Sequence, residues 1–318
     1  MLMKAIIIAQ AGGTAELQIR EIPVPHIQNG EVLIQVKAIS INPVDTKTRK
    51  GNGQYSQIKD DHPIILGWDV SGVVSQSKSD LFNVGDEVFG MVNFPGHGKA
   101  YAEFVASPAT HLALKPGEIS HEEAAAATLA ALTAYQSLVN TARIQAGQKI
   151  LIHAAAGGVG HFAVQIAKHF GAYVAGTSSA KNKDFVLNLG ADEHIDYHTT
   201  QLEEHAKDFD MVLDTIGGDN IDRSLTVIKQ GGILISIPSG LNDSVGEKSK
   251  AKGVSGYTFK VASNGKDMQV IADYLKQGII KAHVSETLSF EEMAIAHEQL
   301  ESGRTVGKVV ISLINEPE

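Results

Sequence analysis

The clearest candidate for a functional site in the sequence is a glycine-rich turn, AAAGGVG, at residues 154–160. An apolar run at 150–152 precedes this turn and predicts a strand buried on both faces. A helical pattern that ends at Gly171 follows, and a second apolar run occupies 173–175. A strand, a turn and a helix in this order can hold a dinucleotide pyrophosphate on the free N–H groups of the first helical turn. The pattern therefore predicts a βαβ nucleotide site, with an ordinary glycine turn as the alternative.

The turn is a variant of the usual G-x-G-x-x-G fingerprint, because Ala155 occupies the position of the first glycine. Gly157 would let the backbone approach the pyrophosphate, and Gly160 would let the helix pack closely against the strand. The predicted cofactor contacts in this turn are Ala156, Gly157, Gly158, Val159 and Gly160.

The end of the second strand indicates which dinucleotide binds. An NAD site usually has an acidic residue there, which accepts a hydrogen bond from the ribose 2′-hydroxyl. Residues 177–183 instead read TSSAKNK, and the first acid is Asp184. Hydroxyl and ammonium groups suit a 2′-phosphate, so the sequence predicts NADPH as the cofactor; a solvated turn with a serine N-cap is the alternative. The predicted contacts are Thr177, Ser178, Ser179, Lys181 and Lys183.

Length and composition narrow the function further. A chain of 318 residues predicts two domains, and a net charge of −9 argues against binding to nucleic acid. The absence of cysteine excludes disulfides, a thiolate nucleophile and cysteine-ligated zinc. No apolar run approaches the ~20 residues that a membrane-spanning helix needs. We therefore expect a cytoplasmic protein that acts on a small molecule, without nucleic-acid or membrane partners.

Two kinds of region follow one another along the chain. Up to about residue 115, short β-rich segments such as 31–41 are separated by Gly, Pro, Asn and Asp, and they predict an all-β unit. A capping box at Ser120 and Glu123 opens an alanine-rich helix predicted over 122–132. Beyond the glycine-rich turn, strands alternate with helices, which predicts a mostly parallel sheet covered on both faces. The polar segment 243–252 predicts a loop.

Short motifs spread over nearly the whole chain resemble those of one family. They lie at 30–34 (GEVLI), 42–45 (NPVD), 67–72 (GWDVSG), 84–88 (VGDEV), 101–104 (YAEF), 156–160 (AGGVG) and 303–308 (GRTVGK). With these motifs the chain resembles zinc-free medium-chain dehydrogenases/reductases of the quinone oxidoreductase (zeta-crystallin-like) type. The resemblance implies an α/β fold, with a doubly wound Rossmann sheet inserted into a β-rich GroES-like domain. It places a GroES-like catalytic domain at 1–120 plus 285–318 and a Rossmann NADPH-binding domain at 121–284, and it implies a homodimer or homotetramer.

The resemblance also implies roles for single residues. Asn42 and Asp45 would lie near the nicotinamide as catalytic residues, and Thr133 would contact the cofactor. Tyr55 lies near the position of a catalytic tyrosine in related enoyl reductases. Each role has a plainer alternative, such as a turn, a loop aromatic, an aromatic at a strand end or a solvated charge. The other implied cofactor contacts are Lys181 or Lys183, Tyr197 and Arg304.

The resemblance implies a reaction without a metal. Zinc-containing relatives carry Gly-His-Glu where this chain reads GWD at 67–69, and His62, His97 and His111 are expected to be surface or hydrogen-bonding residues. Without a Lewis acid, suitable acceptors are those that take hydride easily, such as a quinone or an α,β-unsaturated carbonyl compound. We therefore expect hydride transfer from NADPH to such an acceptor, with Asn42 stabilising the oxyanion. The alternatives are an NADPH-binding structural or regulatory protein with little turnover and a zinc-type alcohol dehydrogenase.

Overall fold

The computed structural model describes residues 1–205 and 207–314. The chain divides into two compact units, the first made of residues 1–132 with those from 262 onward, and the second of Thr133–Val261. The domain limits expected from the sequence, 120/121 and 284/285, stay predictions. Gly265 shows why the segment after 262 packs with the first unit. A Cβ there would lie 2.5 Å from the carbonyl oxygen of Thr110, so the helix that begins at Gly265 contacts this unit closely.

The described residues form the strands β1 (Leu2–Ile8), β2 (Gln18–Pro23), β3 (Glu31–Ser40), β4 (Ile64–Ile65), β5 (Asp69–Ser77), β6 (Glu87–Met91), β7 (Phe104–Pro108), β8 (Leu112–Leu114), β9 (Lys149–Ile152), β10 (Tyr173–Ser178), β11 (Glu193–Asp196), β12 (Phe209–Asp214), β13 (Ile228–Ser236), β14 (Ser255–Thr258), β15 (Val284–Ser289) and β16 (Lys308–Ser312). The α-helices are α1 (Pro43–Arg49), α2 (Tyr55–Ile58), α3 (His121–Ala126), α4 (Leu129–Tyr135), α5 (Gly158–His169), α6 (Lys183–Asn188), α7 (Leu202–His205), α8 (Asn220–Val227), α9 (Val245–Ala251), α10 (Gly265–Lys276) and α11 (Met293–Glu301). None of the helices in the described part of the chain has the length and apolar character needed to cross a bilayer.

The first unit is built on a sheet with the strand order β15-β16-β3-β5-β6-β8, and β7 also pairs with β3. Its neighbouring strands are antiparallel except for β15 and β16. A smaller sheet places β1 between β2 and β4, and the core of the unit includes Ile34 and Val309. The prediction of an all-β unit is wrong at the short helix α2 and at α1. This helix forms because Asn42 and Asp45 make a capping box and Pro43 occupies its first turn.

The second unit is built on a parallel sheet with the strand order β11-β10-β9-β12-β13-β14. The central strand β9 buries Ile150, Leu151 and Ile152 completely, as expected for a strand covered on both faces. The chain proceeds from β9 to one edge and then from β12 to the other, so the strand order reverses between β9 and β12. This is the predicted doubly wound Rossmann order, and ligands bind such sheets at the carboxyl ends of the strands.

The region joining the units differs in part from its prediction. The capping box is confirmed, because Ser120 Oγ accepts from the N–H of Glu123 at 3.1 Å and the Glu123 carboxylate accepts from the N–H of Ser120 at 3.0 Å. The single helix predicted over 122–132 is wrong, since the segment forms α3 and the start of α4. The N–H of Leu129 donates to Asp69 Oδ1 at 3.0 Å, which gives the backbone a partner outside the helix at the break.

The loop predicted over 243–252 is also wrong, because this segment contains α9. The helix buries Val245 and Ser249 in spite of its polar sequence. Gly256 of β14 permits the close approach of α9, since a Cβ at this position would lie 2.3 Å from Ser249 Oγ.

Candidate functional site

The glycine-rich turn has the geometry that its sequence predicts. The turn leaves β9 and reaches α5, with Gly157 as the N-cap residue. A Cβ on Gly160 would lie 2.2 Å from the carbonyl oxygen of Ala154 and 2.7 Å from Cα of Ala155, so only glycine allows this packing of helix and strand. At Gly157 the nearest atom to such a Cβ is 3.2 Å away. The first N–H groups of α5 have no partner within the helix and can bind an anion.

A cavity of about 400 Å³ lies in the second unit, at the carboxyl ends of its strands. Ile195 and Ile216 supply apolar walls, and Thr177, Tyr197 and Arg223 supply polar ones. Its volume is in the range of small-molecule and cofactor sites. The position, the mixed lining and the neighbouring glycine-rich turn fit the adenosine half of a dinucleotide.

A buried histidine underlies the cavity and orients Thr177. His153 Nε2 lies 3.1 Å from Ser224 Oγ, and that hydroxyl already donates to the carbonyl oxygen of Asn220 at 2.7 Å. Nε2 therefore carries the hydrogen, and Nδ1 accepts from Thr177 Oγ1 at 3.2 Å. Burial is the main cause that lowers the pKa of His153, to about 4, so the imidazole is neutral near pH 7. The Thr177 hydroxyl hydrogen is consequently directed at His153.

The turn after β10 contains the residues predicted to contact a 2′-phosphate. Ser178 is 4% exposed, Ser179 is partly buried, and Lys181 and Lys183 are exposed, the latter as the first residue of α6. Tyr197 is 50% exposed and lines the cavity beyond the next strand. Thr177 and Tyr197 thus line the cavity itself, and the two lysines lie on the adjoining turn. No carboxylate occurs between residues 177 and 183.

In the first unit, Asn42 belongs to a fully buried cluster of polar side chains. Its Nδ2 donates to Asp69 Oδ2 at 2.7 Å, and its Oδ1 accepts from Lys308 Nζ at 2.5 Å. Lys308 is 3% exposed, also donates to the carbonyl oxygen of Ile41 at 2.9 Å, and lies 3.9 Å from Asp69 Oδ2. The N–H of Asn42 donates to Asp45 Oδ2 at 2.6 Å. The structure therefore brings Asn42 and Asp45 together and fixes the orientation of the Asn42 amide.

Burial determines the protonation of this cluster. Desolvation raises the pKa of Asp45 to about 8; the N–H of Asn42 opposes this rise, the Asp69 carboxylate adds to it, and Lys308 opposes it. Burial also raises the pKa of Asp69 and lowers that of Lys308, against their mutual attraction. Asp45 Oδ1 makes no hydrogen bond to any described residue. The buried ammonium of Lys308 thus attracts both carboxyl groups, those of Asp45 and Asp69, and Asp45 is protonated near neutral pH.

A second buried set extends the cluster and is not visible in the sequence. Arg49 Nη2 pairs with Glu301 Oε1 at 2.5 Å, and Arg49 Nη1 donates to His297 Nδ1 at 3.0 Å. His297 Nε2 therefore carries the hydrogen and donates to Tyr101 Oη at 3.0 Å, next to Asp45. Burial and the Arg49 charge lower the pKa of His297 to about 3. Asp69 and Lys308 are each the first residue of an apolar strand and belong to the family motifs at 67–72 and 303–308. The sequence gives no other signal for these two residues.

Of the remaining predicted residues, Tyr55 and Arg304 belong to the first unit and Thr133 to the second. Tyr55 begins α2 and packs, partly buried, against the core of the first unit. Thr133 lies in α4 and is 2% exposed, whereas Arg304 is exposed on the loop before β16. Trp68 is fully buried, and its Nε1 donates to the carbonyl oxygen of Gly96 at 2.8 Å, which is a packing role. Within the described residues, no group of three or more His, Asp or Glu side chains could hold a metal ion.

Comparisons with known proteins bear on the family and the fold of the chain. Residues 28–117 match the family described as "Alcohol dehydrogenase GroES-like domain", and residues 189–311 match "Zinc-binding dehydrogenase". The chain is 35% identical to 2-methylene-furan-3-one reductase of Solanum lycopersicum and to "NADPH-dependent alkenal/one oxidoreductase, chloroplastic" of Arabidopsis thaliana, each over 97% of this chain and 79% of the relative. The solved quinone oxidoreductase of Coxiella burnetii superposes with a TM-score of 0.94 at 34% identity, over 99% of this chain and 100% of that one.

Proposed function

Because this chain belongs to the quinone oxidoreductase family of the medium-chain dehydrogenases/reductases, we propose that it transfers hydride from NADPH to a quinone or to an α,β-unsaturated carbonyl compound. The chain is an NADPH-dependent oxidoreductase.

The nucleotide site of the second unit is the observation that carries the proposal. The turn between β9 and α5 presents the first N–H groups of the helix, and we assign the adenosine to the adjoining cavity. The exposed ammonium groups of Lys181 and Lys183 lie where an NAD site would carry an acid. We assign the pyrophosphate to residues 156–160 and the 2′-phosphate to Ser179, the two lysines and Tyr197.

The acceptor chemistry is assigned to the cluster around Asn42. NADPH, when bound, supplies the hydride, and the protein must stabilise the oxyanion that forms on the acceptor. One Nδ2 hydrogen of Asn42 is used by Asp69, while the other has only a 3.5 Å contact with the carbonyl oxygen of Ser40. Lys308 withdraws charge from Oδ1 and so strengthens the remaining N–H as a donor. Asp45 and Tyr55 stay the other catalytic candidates.

We also propose that the enzyme needs no metal, acts in the cytoplasm and forms a homodimer or homotetramer. The chain has no cysteine, and Trp68 occupies the place of a histidine in the zinc-containing relatives. Chelation, cell fractionation and light scattering test these three points in turn.

NADPH consumption tests the proposed reaction directly. The protein is mixed with NADPH, EDTA and one acceptor, either a naphthoquinone, a 2-alkenal or an alkyl enone, and the NADPH absorbance is followed. Turnover in EDTA supports the proposal, and the preferred acceptor distinguishes quinone from alkene reduction. Tight NADPH binding without turnover of any acceptor would favour a structural or regulatory protein. Chelator-sensitive oxidation of an alcohol would indicate a zinc enzyme.

Two variants test the role of Asn42. Asn42→Ala should lower kcat about 100-fold, the usual loss for one oxyanion donor, and leave the Kd for NADPH unchanged. Asn52→Ala, which truncates an exposed amide of the same unit, is the matched control and should retain full activity. Equal kcat values for both variants would contradict donation by Asn42.

A further inference from the structure

A histidine outside the predicted contacts lies against the turn assigned to the 2′-phosphate. His194 belongs to β11, which pairs in parallel with β10, and its Nε2 lies 2.8 Å from Ser178 Oγ at the end of β10. The turn at 179–182 follows directly and leads to Lys183, the first residue of α6. Building on the proposed function, we propose that His194 is a specificity-determining residue, whose protonated imidazole favours NADPH over NADH through the 2′-phosphate.

The surroundings of His194 hold its pKa below the ordinary value in the free protein. Burial lowers the pKa of His194 and Lys183 of α6 lowers it further, while Asp196 on β11 itself and a hydrogen bond with the backbone of Ser178 in β10 act in the opposite direction. The imidazole is only partly buried, so it stays accessible to protons. A nearby negative charge can therefore raise the pKa of His194 again.

A phosphate at this turn would supply that charge. The 2′-phosphate of NADPH carries nearly two negative charges at pH 7 and favours a cationic neighbour. If the pKa of His194 is higher in the complex than in the free protein, NADPH binding takes up a proton. NADPH affinity then increases as the pH falls through the higher pKa, by up to about tenfold if the two pKa values of His194 differ by about one. NADH lacks this phosphate, so its affinity is free of the effect.

The experiment compares Kd values for NADPH and NADH at pH 6, 7 and 8. The proteins are the wild type, His194→Gln, which can keep a hydrogen bond to Ser178, and His169→Gln. His169 is an exposed histidine at the end of α5 remote from the glycine-rich turn, and its variant is the matched control. The His194 variant is also needed because the 2′-phosphate itself titrates near pH 6 and weakens its own binding below that pH.

The wild type and His169→Gln should prefer NADPH more strongly at pH 6 than at pH 8. Relative to His194→Gln, this change should be larger by up to about three- to tenfold, the limits for a rise in the pKa of His194 of about 0.5 to 1 on NADPH binding. Unchanged NADH affinity in His194→Gln shows that the site is intact. NMR titration of His194 should show a higher pKa with NADPH than with NADH.

Two results separate failure of this inference from failure of the proposed function. Tight NADPH binding with the same pH dependence in the wild type and His194→Gln would overturn the role of His194 and leave the proposed function standing. Failure of the folded wild type to bind either dinucleotide would overturn both.

Discussion

Lys308→Met tests whether charge holds the buried cluster of the first unit together. The ammonium of Lys308 is 3% exposed, donates to Asn42 Oδ1 and the Ile41 carbonyl, and lies 3.9 Å from the fully buried Asp69. Methionine fills a similar volume but leaves a buried carboxylate and a buried amide oxygen without a cation. Removing one partner of a buried ion pair costs about 3–5 kcal/mol. For a domain of this size, that corresponds to a fall in Tm of roughly 6–20 °C.

The double variant Lys308→Met/Asp69→Asn separates charge from packing. It removes both charges, and an asparagine at 69 can still accept from the N–H of Leu129 and donate to a reoriented Asn42 amide. Thermal and urea unfolding, followed by circular dichroism, should show the double variant at least ~1.5 kcal/mol more stable than Lys308→Met, as expected for coupled buried charges. The reasoning is refuted if Lys308→Met unfolds within ~0.5 kcal/mol of the wild type, which is the range of an ordinary surface substitution.

Other substitutions test the nucleotide site and the buried carboxyl group. Lys183→Ala should weaken NADPH binding about tenfold, or ~1.4 kcal/mol, and leave NADH unchanged in a fluorescence titration; equal losses for both would contradict a 2′-phosphate contact. Gly160→Ala should abolish NADPH binding, because its Cβ would lie 2.2 Å from the carbonyl oxygen of Ala154, whereas Gly246→Ala meets nothing within 4 Å and serves as the control. Asp45→Asn should flatten the pH dependence of Tm. Burial raises the pKa of Asp45 to about 8, against about 3.9 when unfolded, so wild-type stability falls as the pH rises between these values. An equal fall from pH 5 to pH 8 in both proteins would show that Asp45 is not responsible.

The sequence predicts the second unit well because its signals are local. A buried strand, a glycine-rich turn and an amphipathic helix are contiguous between 149 and 169, and the close approach at Gly160 follows from the missing side chain. The polar segment 243–252 is predicted wrongly for the converse reason. Two buried positions, Val245 and Ser249, suffice to dock α9. The polar composition of the segment predicts a loop because two buried residues change the composition very little.

The polar cluster of the first unit is beyond local prediction because its members are distant in sequence. Asn42 and Asp69 are 27 residues apart, and Lys308 is 266 residues from Asn42. Only the pairing of β16 with β3, and of β3 with β5, brings these three side chains together. The sequence identifies Asn42 and Asp45 through a family motif, but it contains no indication that a lysine orients the amide.

The charge of this cluster bears on the proposed chemistry. One ammonium faces two carboxyl groups. Asp69 accepts hydrogen bonds from Asn42 Nδ2 and from the N–H of Leu129 and lies 3.9 Å from the Lys308 ammonium, so Asp69 is the better placed of the two to carry the negative charge. Lys308 and Asp69 then balance each other, and Asn42 bridges them with its amide oriented from both sides. Buried ion pairs are weak contributors to stability compared with apolar packing of the same volume. An oriented, polarised amide is a benefit that apolar packing cannot supply, so Lys308→Met should lower kcat for acceptor reduction even at temperatures where the variant is fully folded.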